Sequence, residues 1–491
     1  MIEARHSRAL RLGAGASGAS ESETADRLSR SHIVLSVDAH IPGAAETADV
    51  LVDTLARRPG RLTLAGAPER IERRLIERIR RIDPDFQVTT APSSPSDGTL
   101  EAHIGTAPDE PHTPNGVRLT ALPDNHGAHI ASDERLPAPL TAPSALGVMT
   151  TGALLAAEIF KHAAGVRPER MTSHHRLSFC PVTLSDDPSR APARTDMSVS
   201  LALVGLGAVG TAIAQILNGL PLNGSVLLVD REALALENLG TYSAGGMADI
   251  GRPKVQIAAE LLAGFHVTKF HGDVNDVPRL IDARQLPWPR FVLSGLDSID
   301  ARHAAQRIWP DHLLDGATGD TVLGLHEVLG PGQPCLQCFL PPRAIPRSSL
   351  VEFSESSGLT LKQLADGDRP LVLGDLEALS HDQRIRLEAH VGKPICGLAQ
   401  ALGLTSDDQT DHYQPSVPFV SQLAAALVVG RLIARLADPD GAHPNFVQFD
   451  ALFGPQALNA ESRQGRHGCY CAETRPLIET VRSSRRQLSS S

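Results

Sequence analysis

A chain of 491 residues, 42% hydrophobic and 21% charged, has material for two to four globular domains; with aromatics at only 3%, their cores must rely on Ala, Leu, Val and Ile. The net charge of −10, with no basic stripe along any predicted helix, argues against nucleic acid as a main partner. The opening MIEARHSRALRLG has no apolar run of signal-peptide type. LGVMTTGALLAAEIF and LAAALVVGRLIARLA are too short, or too broken by Arg and Glu, to span a bilayer, and six cysteines in so long a chain are no disulfide scaffold. These features predict a soluble, cytoplasmic protein with no membrane partner.

In chain order, GAGASGASESE is Gly/Ser-rich and predicts a flexible connection. HIVLSVD reads as a strand, ADVLVDTLARR as an amphipathic helix, RLTLAG as a second strand and APERIERRLIERIRRI as a helix with its charges on one face. That order predicts a parallel α/β layer. Residues from about 91 to 140, rich in Pro, Ser, Asp and His, predict irregular structure. APSALGVMTTGALLAAEIFKHAAG follows as a buried helix ended by Gly165, and residues 181–197 read as a linker.

A second α/β unit opens with SLALVGLGAVG: strand, Gly-rich turn, helix AIAQIL, strand SVLLVD, helix KVQIAAELLAG, strand FVLSGLD and helix DARHAAQRIW. From about 341 to 412 the sequence turns polar and loop-rich. SVPFVSQLAAALVVGRLIARLAD then matches in kind the earlier small-residue helix, each preceded by Pro and Ser. Two α/β layers, each closed by such a helix, point to a duplication with one degenerate copy. VRSSRRQLSSS predicts a disordered tail.

Gly205, Gly207 and Gly210 form G-x-G-x-x-G between a strand and a helix. The first permits a tight turn, the second lets backbone approach a phosphate, and the third lets the helix pack close. The helix N-terminus offers free N–H groups to an anion, and Asp230 ends the next strand, where a carboxylate can hold a ribose hydroxyl. This much fits NAD as well as ATP.

The stretch VDREALALENLGTYSAGGMADIGRPKVQIAAELL resembles the diagnostic block of the ThiF/MoeB/ubiquitin-activating superfamily, with Asp230, Asn238, Gly251 and Lys254 at the family's spacing. Asp297 and Arg302, in GLDSIDAR, match its metal-binding Asp and the Arg five residues on. The resemblance implies two Rossmann-like adenylation units, the first inactive and the second active. It also implies roles: Asp230 for ribose, Asn238 and Lys254 for base-side and phosphate contacts, and Asp297 for Mg²⁺. Carboxylate attack on the α-phosphate of ATP brings anion to anion, and such cationic groups offset the repulsion. The bland alternatives are a solvated helix-start lysine at Lys254 and a helix N-cap at Asp297. Where the family carries Arg-Gln, this chain has Thr241 and Tyr242. RHSRALRLG resembles the family's N-terminal segment and puts Arg8 where an arginine reaches across to the partner unit's ATP site; otherwise Arg8 lies exposed in a frayed terminus.

Cys335 and Cys338 form C-x-x-C, and Cys469 and Cys471 form C-x-C. Two such pairs can meet in a tetrahedral Zn²⁺ site, with His467 a possible substitute ligand. Cys180 lies in an apolar run and reads as a core thiol. Cys396, between the two pairs and flanked by Pro394 and Gly397 with Lys393 near, is the candidate nucleophile; the other reading is a packing role.

The resemblance runs to fused ubiquitin-activating enzymes, most closely the BilD-type enzymes of bacterial Bil antiviral conjugation systems. It implies residues 1–180 as the inactive adenylation-like domain, 198–340 with 413–475 as the active domain with its zinc clip, 341–412 as the catalytic-cysteine insertion and 476–491 as the tail. It implies ATP, Mg²⁺ and Zn²⁺ as cofactors. Its partners would be a ubiquitin-like protein ending in Gly and a conjugating enzyme, the chain acting as a monomer or homodimer. Two other readings stay open: a ThiF/MoeB-like adenylating enzyme for sulfur transfer or peptide modification without its own thioester, and a non-catalytic NAD- or nucleotide-binding scaffold.

Overall fold

The computed structural model describes residues 2–91, 100–106, 117–192, 197–341, 354, 357–365, 369–388, 390–392, 395 and 416–489. The chain forms two compact units, residues 1–340 with 415–491, and residues 341–414.

The larger unit contains two sheets. The first comprises β1 (His32–Val37), β2 (Arg61–Ala65), β3 (Gln87–Ala91), β4 (Leu100–Ile104), β5 (Val117–Asp124), β6 (Gly127–Ser132) and β7 (Arg176–Phe179), in the order β3-β2-β1-β4-β5-β6-β7. The second comprises β8 (Met197–Val204), β9 (Leu222–Asp230), β10 (His266–His271), β11 (Phe291–Ser294), β12 (His312–Thr318), β13 (Val322–Val328), β14 (Phe446–Asp450) and β15 (Asn459–Glu461), in the order β10-β9-β8-β11-β12-β13-β14-β15. In each, five parallel strands are followed by antiparallel ones. Strand for strand, β8 to β14 repeat β1 to β7, so the two halves share one topology. The central strands are near-continuous apolar runs because helices cover both faces.

The helix Ala145–Ala164 connects β6 to β7, and the helix Pro418–Ala437 lies between β13 and β14. These equivalent helices pack on each other, with the rings of Phe160 and Phe419 5.6 Å apart. Gly165 caps the first helix at φ 64, the left-handed conformation expected there. Pro418–Ala437 is long and apolar enough to cross a membrane, but 94% of that window is buried inside the protein. Its Arg431 and Arg435 both pair with the buried Glu327, at 2.5 and 2.7 Å.

Three segments differ from the sequence reading. The region from 91 to 140 holds the core strands β4, β5 and β6 rather than irregular structure. Its histidines hid the pattern, and tertiary partners satisfy them: His103 bonds Ser36 at 2.8 Å, His129 bonds Ser178 at 2.7 Å, and buried His126 bonds Ser144 at 2.8 Å. GAGASGASESE is not a flexible connection. Gly13 and Gly15 lie in the last turns of the helix Ile2–Ser17, Gly18 turns at φ 71 past its end, and Ser20 with Glu23 forms a capping box that starts the helix Glu21–Arg30. The expected disordered tail is the helix Arg475–Ser489, fastened by Arg485 to Asp282 and by Arg482 and Arg486 to Asp311. In the 181–197 linker, the described residues include the buried Val182, and the carbonyl of Pro181 lies close against Gly430.

In the smaller unit, the helices Leu361–Ala365 and His381–Glu388 contribute to a cluster of Leu359, Leu364, Leu371, Leu376, Leu387 and Ile395. Arg369 holds Asp375 at 2.8 Å, which lowers that carboxyl to about 2.

Candidate nucleotide site and metal centre

The site grows from the carboxyl ends of the parallel strands, where the order reverses between β8 and β11. β8 ends at Val204, Gly205 turns at φ 79, and Gly207 caps the helix Ala208–Asn218. A Cβ on Gly210 would lie 1.9 Å from the carbonyl oxygen of Gly205, so the turn and helix meet with no room between them. A Cβ on Gly207 would meet nothing within 4 Å, so no protein contact requires glycine there. Backbone open to a ligand fits that position.

Asp230 sits at the end of β9 and accepts from the N–H groups of Leu206 (2.6 Å) and Glu232 (2.7 Å). Burial pushes its carboxyl up, against those two hydrogen bonds and the charge of Lys254. Asn238 accepts from Ala235 N–H at 3.1 Å and so shapes the turn Leu236–Gly240. Lys254 starts the helix Lys254–Leu261. It is not a solvated lysine: its side chain is only 5% exposed, and Nζ pairs with Glu232 at 2.5 Å. Its N–H also donates to the Glu232 carbonyl at 3.0 Å, which ties the Asp230 and Lys254 segments together.

Asp297 is exposed, three residues past the end of β11, with Gly295 and Leu296 against the Gly205–Gly210 turn. It is not the helix N-cap. Ser298 is, accepting from Ala301 N–H at 3.2 Å. The loop is anchored by Arg302, which donates to Leu296 O at 2.8 Å and lies 3.6 Å from the fully buried Asp315. Asp315 also accepts from Ser294 at 2.8 Å and meets His326 at 3.0 Å. Burial acts to raise its carboxyl, but Arg302, His326 and Ser294 outweigh it and hold it low. Sequence reasoning missed Asp315 and Glu232; an acid inside the apolar strand LLDG was the only signal for the first.

Arg8 lies half-buried on the helix Ile2–Ser17, which packs against the turn Leu236–Gly240 that carries Asn238. Within one chain, the first half thus brings the Arg8 helix against the turn that carries Asn238. Thr241 and Tyr242 are both buried, Tyr242 among Leu234, Leu239 and Ile257.

Cys335, Cys338, Cys469 and Cys471 converge, with all four Sγ atoms within 4.8 Å of one another and Sγ–Sγ distances of 3.8, 3.6 and 3.6 Å. A tetrahedron with Zn–S near 2.3 Å needs sulfurs about 3.8 Å apart, so the donor set fits zinc. Burial and the neighbouring thiols push Cys335 up to about 11 and Cys471 higher still; a dication reverses this by favouring thiolates. His467 is not in the cluster. Cys180 is fully buried in the core. Cys396 lies outside the described residues.

The model of the ThiF family matches residues 195–471. The chain belongs to the ThiF family. Among curated proteins, it is 25% identical over 256 residues to the uncharacterized protein y4jF of Sinorhizobium fredii (strain NBRC 101917 / NGR234). That match covers 48% of this chain and 42% of y4jF, so the chain spans less than half of that relative's length. Among solved structures it is similar to E. coli MccB bound to ATP, with 14% identity over 56% of this chain and 66% of that one and a TM-score of 0.34. E. coli MccB with MccA-N7isoASN aligns with 12% identity over 56% and 67%, at a TM-score of 0.34. This ThiF-family member carries its matched region in the half with the Gly-rich turn, and the match runs through to Cys471 of the four-cysteine cluster.

Proposed function

We propose that this ThiF-family protein activates a carboxylate with ATP, and that the carboxylate is the C-terminus of a ubiquitin-like protein, as in BilD-type enzymes. The observation that carries the first part is the placement of the Gly205–Gly210 turn, Asp230, Asn238, Lys254 and Asp297 around one strand-order reversal. The second part rests on the sequence resemblance and on Cys396. Asp230 would hold the ribose, and the Gly207 backbone, Lys254 and Arg8 the phosphates. Asp297 would hold Mg²⁺, which when bound supplies positive charge against the phosphates. A carboxylate oxygen attacks the α-phosphorus, the bond to the β-phosphate bridge breaks, and pyrophosphate leaves. The Cys396 thiolate then attacks the acyl carbon of the adenylate, AMP departs with the C–O bond electrons, and a thioester remains for a conjugating enzyme's cysteine. The first half would stand in for the partner subunit of a homodimeric relative, whether the chain works as a monomer or a homodimer. Four thiols kept for a metal suit the reducing cytoplasm.

The test is ATP–pyrophosphate exchange with a small protein ending in Gly, encoded beside this one. D297N should cut exchange at least about a hundred-fold, in line with loss of one charge-stabilising group. C396A should keep exchange but lose the reductant-sensitive adduct. If transfer to the conjugating enzyme survives in C396A, the chain makes no thioester of its own, and sulfur transfer or peptide modification takes over as the reading. Thermal stabilisation by NAD and not by Mg-ATP would instead make it a scaffold.

A further inference from the structure

The segment between Asn238 and Lys254 is fastened from outside its own sheet. Arg57 lies just past the helix Ala44–Leu55 of the first half. Its Nη2 donates to the carbonyls of Tyr242 at 2.6 Å and Gly245 at 3.0 Å, and its Nη1 to that of Asp53. Tyr242 N–H in turn donates to Asn238 O at 2.9 Å, so a short chain of hydrogen bonds runs from Arg57 to the Asn238 turn. Arg81, at the end of the helix Glu69–Ile82, donates to Ala244 O at 3.0 Å and to Asp249 at 2.9 Å. The first half therefore grips this loop at both ends.

The grip is costly. Arg57 is 3% exposed, and burial pushes its guanidinium down to about 10. A buried cation persists only where its hydrogen bonds offset the desolvation. Arg58 is the natural contrast. It is 5% exposed, yet among the described residues its hydrogen bonds go to Ser31 and Pro59, within its own half. The gripped loop contains Tyr242 and follows Thr241, the positions where the family's Arg-Gln is missing.

We propose that Arg57 is a positioning residue for the nucleotide site, holding the Asn238 turn and the loop leading to Lys254 from the other half of the chain. The proposal rests on reading that site as an ATP site. It gives the degenerate half a second duty besides Arg8: its sheet has lost the Gly-rich turn but keeps the cations that brace its twin.

The experiment compares full-length R57Q and R58Q with wild type, titrating Mg-AMPPNP and measuring the ATP dependence of pyrophosphate exchange. Both variants remove a buried guanidinium, so a merely structural effect would strike both. R57Q should weaken Mg-AMPPNP about ten-fold, the usual effect of losing a charge-assisted hydrogen bond, with the loss in exchange falling on KM for ATP more than on kcat. R58Q should stay within about two-fold of wild type, because among the described residues its hydrogen bonds run to Ser31 and Pro59 and not to the Asn238–Lys254 loop. Should R57Q fail to fold, R81Q serves instead: that side chain is 55% exposed, and its loss should weaken Mg-AMPPNP about three-fold. Unchanged binding in R57Q or R81Q, or equal losses in R57Q and R58Q, overturns the proposal. Wild type that binds no Mg-AMPPNP at all would sink the ATP reading itself, and the proposal with it.

Discussion

Two glycines of the same turn answer to different constraints. Gly210 is fixed by packing, since a Cβ there would lie 1.9 Å from Gly205 O, whereas Gly207 faces open space. G210A should therefore cost stability, on the order of 1–3 kcal/mol as for other overpacked sites, seen as a lower urea midpoint. G207A should melt like wild type yet bind Mg-ATP more weakly, because its added methyl stands where a phosphate must approach. A G207A protein that binds normally would mean the ligand does not touch that backbone. Both glycines stood out by their spacing between a strand and a helix, and Asp230 by its place at a strand end; Asn238, Lys254 and Asp297 were singled out by their resemblance to the ThiF-type block. Glu232 and Asp315 were not. Glu232 matters through a lysine twenty-two positions on, and Asp315 through Arg302, Ser294 and His326, contacts that exist only once β11, β12 and β13 lie side by side.

Secondary elements were legible where their apolar period was clean. HIVLSV, RLTLA and LALV read as strands and are strands, and the helix ending at Gly165 closes as expected. β4 and β6 were hidden because His103 and His129 stand where an isolated strand would need apolar residues, and cross-strand hydrogen bonds to Ser36 and Ser178 satisfy them. The last helix was hidden because its anchors are arginines whose acids lie far away in sequence. That helix starts four residues after Cys471, and its Ile478 packs with Cys335 and Cys471, so it should depend on the metal. One zinc per chain is expected by elemental analysis. Chelation, or C338S, should lower the melting temperature and speed hydrogen exchange in residues 475–489, as the clip that ties them to Cys335 and Cys338 opens. Full protection without zinc would show that the arginine pairs suffice.

At the scale of the molecule, the repeated strand order makes one chain resemble a dimer of its own halves. The helices Ala145–Ala164 and Pro418–Ala437 are each other's cover, and almost every residue of the second is buried. Residues 197–489 expressed alone would expose that apolar face and should aggregate on size-exclusion chromatography. Residues 2–192 supplied in trans should return them to a discrete complex. A monodisperse, active fragment on its own would refute the view that the halves are interdependent.

The sequence by itself determined the Gly-rich turn, the acids and lysine of the ThiF-type block, the cysteine pairs and the presence of two α/β layers. The turn, the cysteine pairs and the layers are local patterns of spacing and apolar period, and the acids and lysine are carried by the resemblance to the ThiF-type block. Only the tertiary structure decided that the layers share one strand order, that four thiols from the middle and the end of the matched region meet, and that Arg57, Arg81 and the Arg8 helix of the first half reach the Asn238–Lys254 segment of the second. Those contacts join residues more than a hundred positions apart. No periodicity encodes such a partner, because a buried charge is explained by what it finally touches and not by its neighbours in the chain.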